Sequence, residues 1–304
     1  MTVLDRKKKR LDDLGGRSLS ADAFVRLRRN PVAIVGAVII TLFVLVSIFA
    51  PLIAPHNGAE SFPDLQRTLR PDSIPGALPG FPLGSDQNGR DFFSRMVLAS
   101  RQTLIVGVVA TLIGLVFGVV IGALAGAFGG WVDTVLMRVT DVLLSIPSLL
   151  LAISIAALAA KPSQTTVIIA VALVSVPVFA RLLRGSMLAQ RESDHVLAAT
   201  SLGVRRSAVV LRHMLPNAMG PVIVQATLTL ATSILDAAAL SFLGLGDGDP
   251  ARAEWGLMLA NAQTYLDVRP ALAFYPAVAI ILVALGFTLL GEALREALDP
   301  KGRR

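Results

Sequence analysis

The sequence predicts an all-α integral membrane protein with six transmembrane helices and a cytoplasmic coupling helix-turn-helix between spans 4 and 5. Three observations lead there. Of the 304 residues, 54% are hydrophobic and 16% charged, with a mean hydropathy of +0.68, against about 25% charged in soluble domains. Uncharged runs occupy 31–55, 102–132, 142–160, 162–180, 213–235 (with His213 neutral) and 270–291, and a helix crosses the hydrocarbon core with about 20 residues. The runs are continuously apolar rather than alternating, which favours helices over barrel strands. Finally, 20 of the 28 Lys and Arg residues fall before span one, between spans two and three, between spans four and five, and after span six. The positive-inside rule then puts both termini and the loop 181–212 in the cytoplasm, with 56–100 and 241–269 outside.

Taken in order, residues 1–30 form a polar cytoplasmic arm, basic in "DRKKKR", that ends in a short amphipathic helix before Pro31. The run 31–55 is longer than a signal-peptide core of about 7–15 residues, so it reads as an uncleaved anchor. Residues 56–100, rich in Pro and Gly, read as a packed external loop over an entrance. Residues 101–292 make the core of spans two to six, and 293–304 a cytoplasmic tail. In span two, Gly114, Gly118, Gly122 and Gly126 recur every fourth residue after Ala110. One helix face then lacks side chains and another backbone can approach it, so packing is the role this spacing predicts. Pro147 and Pro177 sit inside spans three and four and mark either kinks beside a pathway or strained core.

Several function classes are excluded. No Gly-Lys dipeptide occurs, so there is no phosphate-cradling loop, and neither H-E-x-x-H nor G-x-S-x-G is present. Cysteine is absent and the three histidines lie far apart, which argues against a metal site. The chain is therefore no enzyme by its motifs and holds no cofactor of its own. The net charge of +7 follows the topology signal and contact with anionic membrane lipid rather than nucleic acid. A self-sufficient ion-coupled carrier would show paired ionisable residues within spans. Only Asp133, Asp141 and Asp236 come close, each without an evident partner.

The stretch "LAATSLGVRRSAVVLRHMLPNA" (197–218) interrupts the apolar pattern. Asp194 can cap a helix running to Leu202, which Gly203 ends as a left-handed residue. In a second helix Val204, Ala208, Leu211 and Leu215 form an apolar stripe, with Arg205, Arg206 and Arg212 off it. Pro216 then breaks the surface helix ahead of span five. An ordinary connector resting on lipid headgroups accounts for the stripe, but not for Ala198-Ala199, Gly203 and Leu215-Pro216 at these distances.

That spacing resembles the cytoplasmic signature of ATP-binding-cassette importer permeases: Glu-Ala-Ala, three residues, Gly, then a hydrophobic-Leu-Pro end. Ala198, Ala199, Gly203, Leu215 and Pro216 match, and Leu197 stands where the family has glutamate. Further stretches resemble the C-type permease subunit of dipeptide, oligopeptide and nickel importers: "FPLGSDQNGRDFFSRM" (81–96), "GGWVDTVLMRVTDVLLSIPSLLLAI" (129–153), "ARLLRGSML" (180–188), "DAAALSFLGLG" (236–246) and "LREALDP" (294–300). The resemblance covers nearly everything after residue 31.

It implies a multi-pass protein of the bacterial plasma membrane that pairs with a second permease as a heterodimer. It also implies an extracytoplasmic substrate-binding protein and two ATPase subunits that carry the ATP and magnesium. In such systems the loop 190–217 docks on an ATPase. Leu197, Ala198, Ala199 and Gly203 would allow close approach and a tight turn, Arg205, Arg206 and Arg212 would meet acidic rim residues, and Leu211, Leu215 and Pro216 would complete the contact. Asp236, where the family has glutamate, is either a hydrated boundary carboxylate or a contact that holds the external gate closed. Di- and oligopeptides lead as substrates, ahead of nickel complexes and other small solutes.

The topology has a direct test in this cysteine-free chain. An impermeant thiol reagent added from outside is expected to label Ser73→Cys and spare Ser207→Cys. The reverse pattern would invert the orientation.

Overall fold

The computed structural model describes residues 25–68, 73–249 and 251–298, without the side chains of Arg67 and Thr68. Most of the N-terminal arm and the last six residues lie outside that set. The described residues are helical, with three isolated β-bridges in the external segment and no longer strand. Five long apolar helices are α1 (Pro31–Ile48), α2 (Phe92–Phe128), α5 (Gln164–Arg191), α7 (Leu215–Phe242) and α9 (Ala271–Leu298). Between α2 and α5 lies a broken pair, α3 (Gly130–Ser145) and α4 (Ser148–Ala157), bent by 96°. Two shorter helices are α6 (Asp194–Ser201) and α8 (Trp255–Ala262).

The expected third span over 142–160 is thus corrected. Helix already runs from Gly130, stops at Ser145 and restarts beyond Pro147 in a different direction. The cause is local: Ile146 is extended (φ −91°, ψ 131°), as the residue before a proline prefers. Pro177 behaves differently, since α5 continues through it while it is buried against its neighbours.

Helix ends also extend past the uncharged runs. α2 begins at Phe92, ten residues before its run, because Asp91 accepts the Phe93 N–H at 3.1 Å as N-cap. With 37 residues α2 is about 55 Å long, so its outer end rises into the external segment. Charge marks where lipid ends, not where helix ends. α1 starts at a comparable cap, the Asn30 side chain accepting from Val32 N–H at 2.9 Å.

The glycine column of α2 lies against α5. A Cβ on Gly114 would meet Ser175 Cβ at 2.7 Å, one on Gly122 would meet the Ala180 carbonyl oxygen at 2.6 Å, and one on Gly126 would meet Met187 Cβ at 2.9 Å. Gly118 fits against Phe179, with the Val176 carbonyl oxygen 2.8 Å from where its Cβ would stand. The two backbones are therefore in contact over about three turns. On the other flank α1 reaches α9 through Gly36, whose Cβ would stand 2.9 Å from the Gly286 carbonyl oxygen. Small residues let these helices approach where lipid supplies no hydrophobic drive between them.

The external segment is closed by buried polar groups. Asp91, fully buried, also accepts from Ser94 Oγ (2.5 Å) and pairs with His56 Nδ1 (2.9 Å). The His56 ring stacks on Phe81 and meets the edge of Phe62. Arg95 donates to the carbonyls of Gly58 (2.6 Å) and Arg252 (3.2 Å) and faces Asp86. Arg269 donates to the carbonyls of Ile74 (3.1 Å) and Leu83 (3.0 Å). Glu254, at the start of α8, accepts from Ser241 on α7. Burial pushes its carboxyl above the ordinary range; the Ser241 hydrogen bond opposes this and the Asp247 charge adds to it.

The α2–α5 contact sets an expectation for stability. Gly122→Val forces overpacking worth about 1–3 kcal/mol or more, since its neighbour is backbone. Gly185, which has no atom within 4 Å of an added Cβ, serves as control on α5. Thermal unfolding in detergent is expected to drop clearly for Gly122→Val and to stay unchanged or rise for Gly185→Ala.

Candidate coupling surface

Between α5 and α7 the chain makes a compact helical corner. Ser193 occupies the N-cap of α6 and Asp194 is its first helical residue, one position on from the cap expected for it. The Ser193 hydroxyl donates to the Gln190 carbonyl at 2.5 Å, which ties the corner to the end of α5. At the other end Gly203 has φ +77°. Its N–H reaches the Thr200 carbonyl (3.0 Å), and the Val204 N–H reaches that of Ala199 (3.1 Å). This is the Schellman closure of a helix, which only glycine enters without strain.

The second helix departs from the expected one. After a short turn at Arg206–Ala208, residues Val209–Met214 are π-helical and lead without a break into α7. Pro216 therefore does not end the surface helix. It lies in the first turn of α7, and the helix passes from the π turn through it without stopping. The wider π turn also defeats the stripe, because 3.6-residue spacing no longer predicts which residues share a face. Val209 and Met214 are buried instead, Ala208 and Leu215 are half-buried, and Val204 and Leu211 are exposed.

The inward side of the corner joins Val196, Ala199, Val209, Met214 and Ala218 to Phe179, Leu183 and Met187 of α5. Ala199 thus faces the core, while Ala198 faces out. Leu197 (52% exposed), Leu202 (83%) and Leu211 (62%) are exposed on the corner, as are Arg205 and Arg212. Arg206 is employed within the chain, donating to the carbonyls of Ala127 (2.6 Å) and Phe128 (3.2 Å) at the end of α2. Those carbonyls have no partner within their own helix, and a C-terminal cation suits the helix dipole. A cleft of about 330 Å³ opens between the end of α2 and the corner, lined by Gly126, Ala127, Val196, Val204, Val209 and Met214 among others. Sequence reasoning missed Leu202. The signal was present in its place just before the glycine, where a turn leaves a side chain projecting.

Two carboxylates expected to lack partners have them. Asp133 of α3 accepts both Nε (2.9 Å) and Nη2 (2.6 Å) of Arg184, and Asp141 pairs with Arg181, both arginines lying on α5. The pairs join elements 40 or more residues apart, so spacing in the sequence could not reveal them. Asp236 makes no hydrogen bond or ion pair among the described residues and sits half-buried on α7. No group of three or more His, Asp or Glu side chains is placed to hold a metal among the described residues.

With this geometry in place, comparison with known proteins is specific. The sequence pattern of the family described as binding-protein-dependent transport system inner membrane component matches residues 118–304. That of the N-terminal transmembrane domain of oligopeptide transport permease C matches 18–71. The chain is 42% identical to a dipeptide transport system permease protein of Alkalihalophilus pseudofirmus, covering 92% of this chain and 89% of that one. It is likewise 42% identical to a glutathione transport system permease protein of Escherichia coli O6:K15:H31, covering 91% and 88%. In fold it is similar to a methionine ABC transporter solved in inward-facing conformations, with a TM-score of 0.54 and 17% identity over 67% of this chain and 96% of that one. An amino acid ABC transporter solved with histidines gives a TM-score of 0.53 at 17% identity, covering 66% and 92%.

Proposed function

Since the chain belongs to the family of binding-protein-dependent transport system inner membrane components, we propose that it is one of two permease subunits of an ATP-driven importer of di- or oligopeptides. The second permease is a homologous but distinct chain, the substrate arrives on an extracytoplasmic binding protein, and two ATPase subunits carry ATP and magnesium. Peptide cargo is supported by the relatives, named for a dipeptide and for glutathione, itself a small peptide. The termini and the loop 190–217 lie in the cytoplasm and 56–100 outside, as the basic residues support.

The observation that carries this reading is the outward side of the corner. Leu197, Leu202 and Leu211 stand exposed on a backbone fixed by the Schellman closure, with Arg205 and Arg212 at their margin. An apolar centre with a charged rim is the composition of a protein contact rather than of a headgroup-resting connector. Work done by the ATPases enters here as a push on shape, since the corner is packed on α5. Leu215 contributes from behind, half-buried under the corner.

Gly203→Val tests the reading. Forcing a β-branched residue into the left-handed region costs about 1–2 kcal/mol and turns the second helix away. The variant is expected to insert in the membrane, to recover less ATPase on pull-down and to lose ATP-driven dipeptide uptake. Normal ATPase recovery with normal uptake would refute the docking role.

A further inference from the structure

Span five has a polar side that the packing of this chain leaves open. Gln225, Thr229, Thr232 and Asp236 recur along α7 at i, i+4, i+7 and i+11, which places them on one helical face. Thr229 is buried at the edge of that face, Thr232 is exposed, and Gln225 and Asp236 are half-buried. Ile234 and Ala237, on other sides of the helix, reach into the core, and Val222 is buried one turn before Gln225 next to the polar face. Asp236 lies six residues before the C-terminal end of α7, or about 9 Å along the axis.

Part of this face is paired internally. The Gln225 amide nitrogen donates to Thr229 Oγ1 (3.3 Å), and the Thr232 hydroxyl donates to the Thr229 carbonyl (3.0 Å). The Gln225 carbonyl oxygen, the Thr232 oxygen and the Asp236 carboxylate receive no donor among the described residues, and Asp236 brings a formal negative charge to the face. An open carboxylate is costly against lipid and tolerable against water or a cation. The face complements a hydrogen-bond donor with positive charge, and it runs about 16 Å from Gln225 to Asp236. At about 3.5 Å per residue that length accommodates an extended peptide of four or five residues.

We propose that this face is the subunit's share of the substrate path and that Asp236 receives the ammonium group of the peptide, its free amino terminus. The proposal rests on the importer reading above and adds the chemistry by which the membrane portion selects. A free amine exchanges water for the carboxylate without leaving a buried charge alone, whereas an N-acylated peptide strands Asp236 unpaired.

The absence of cysteine makes the test direct. In the assembled complex, with partner subunits freed of reactive cysteines, Thr232→Cys is exposed to cationic and anionic methanethiosulfonates. Because Asp236 lies one turn away, the cationic reagent is expected to react about tenfold faster than the anionic one, a preference lost on adding Asp236→Asn and kept with Asp236→Glu. Alanyl-alanine is expected to slow the cationic reaction and N-acetyl-alanyl-alanine to leave it unchanged. Ile223→Cys, exposed on another side of α7, provides the lipid-facing reference. Thr232→Cys reacting no faster than Ile223→Cys would overturn the proposal. So would a reagent preference indifferent to Asp236→Asn, which would return Asp236 to a boundary or gate contact. ATP-driven dipeptide uptake by the unsubstituted complex is measured alongside. Its absence would overturn the importer reading, whereas intact uptake with a failed labelling pattern would overturn the assignment of this face alone.

Discussion

The contact on which the rest of the structure depends is the close approach of α2 to α5. Gly114, Gly118, Gly122 and Gly126 leave no room for a single added carbon, because the opposing atoms include carbonyl oxygens of α5 as well as the Cβ atoms of Ser175, Phe179 and Met187. In lipid the apolar side chains of one helix gain nothing by preferring another helix to an acyl chain, so association falls to packing and hydrogen bonds. Four glycines convert a surface indifferent to its neighbour into one that fits a particular backbone. With the register of α2 against α5 fixed, the other elements have a frame. The Asp133–Arg184 and Asp141–Arg181 pairs hang α3 on α5, and the α1–α9 contact at Gly36 and Gly286 closes the far side.

The exceptions to the charge rule have a structural reason. Arg95, Arg252 and Arg269 stand on the side that the positive-inside rule leaves poor in basic residues. Each is engaged: Arg95 and Arg269 bind carbonyls of the external loops, and Arg252 bridges Asp247 (2.9 Å) and Gln164 (3.2 Å). Loops without regular structure leave carbonyls that need donors, and a guanidinium offers five in a fixed fork. In these loops arginine supplies the donors that a sheet ladder would otherwise supply.

The fold was largely legible because its strongest signals are one-dimensional. Apolar runs report spans, a four-residue glycine period reports a packing face, and a glycine before "VRR" reports a helix end. What escaped depended on the third dimension or on an unusual helix. Pro147 was seen, but whether a proline kinks a span or breaks it depends on the residue before it and on what surrounds the gap. Pro177 continues its helix where Pro147 does not. The π turn at Val209–Met214 has no sequence mark, and it moved the buried positions from Leu211 to Met214. Arg206 read as a rim charge because its partners, the last carbonyls of α2, lie nearly 80 residues away.

The same α5 residues belong to two interfaces. Met187 meets Gly126 of α2 on one side and packs with the inward side of the corner on the other, and Phe179 does so two glycines earlier at Gly118. Arg206 adds a polar tie from the corner to the end of α2. The corner is thus tied to both helices, although a cleft of about 330 Å³ separates part of it from the end of α2. A push on Leu197, Leu202 and Leu211 acts on Val196, Ala199 and Val209 behind them, and through these on the α2–α5 pair. Regular helix is interrupted elsewhere, at the break around Pro147 between α3 and α4 and at the π turn, where the i→i−4 ladder is not continuous.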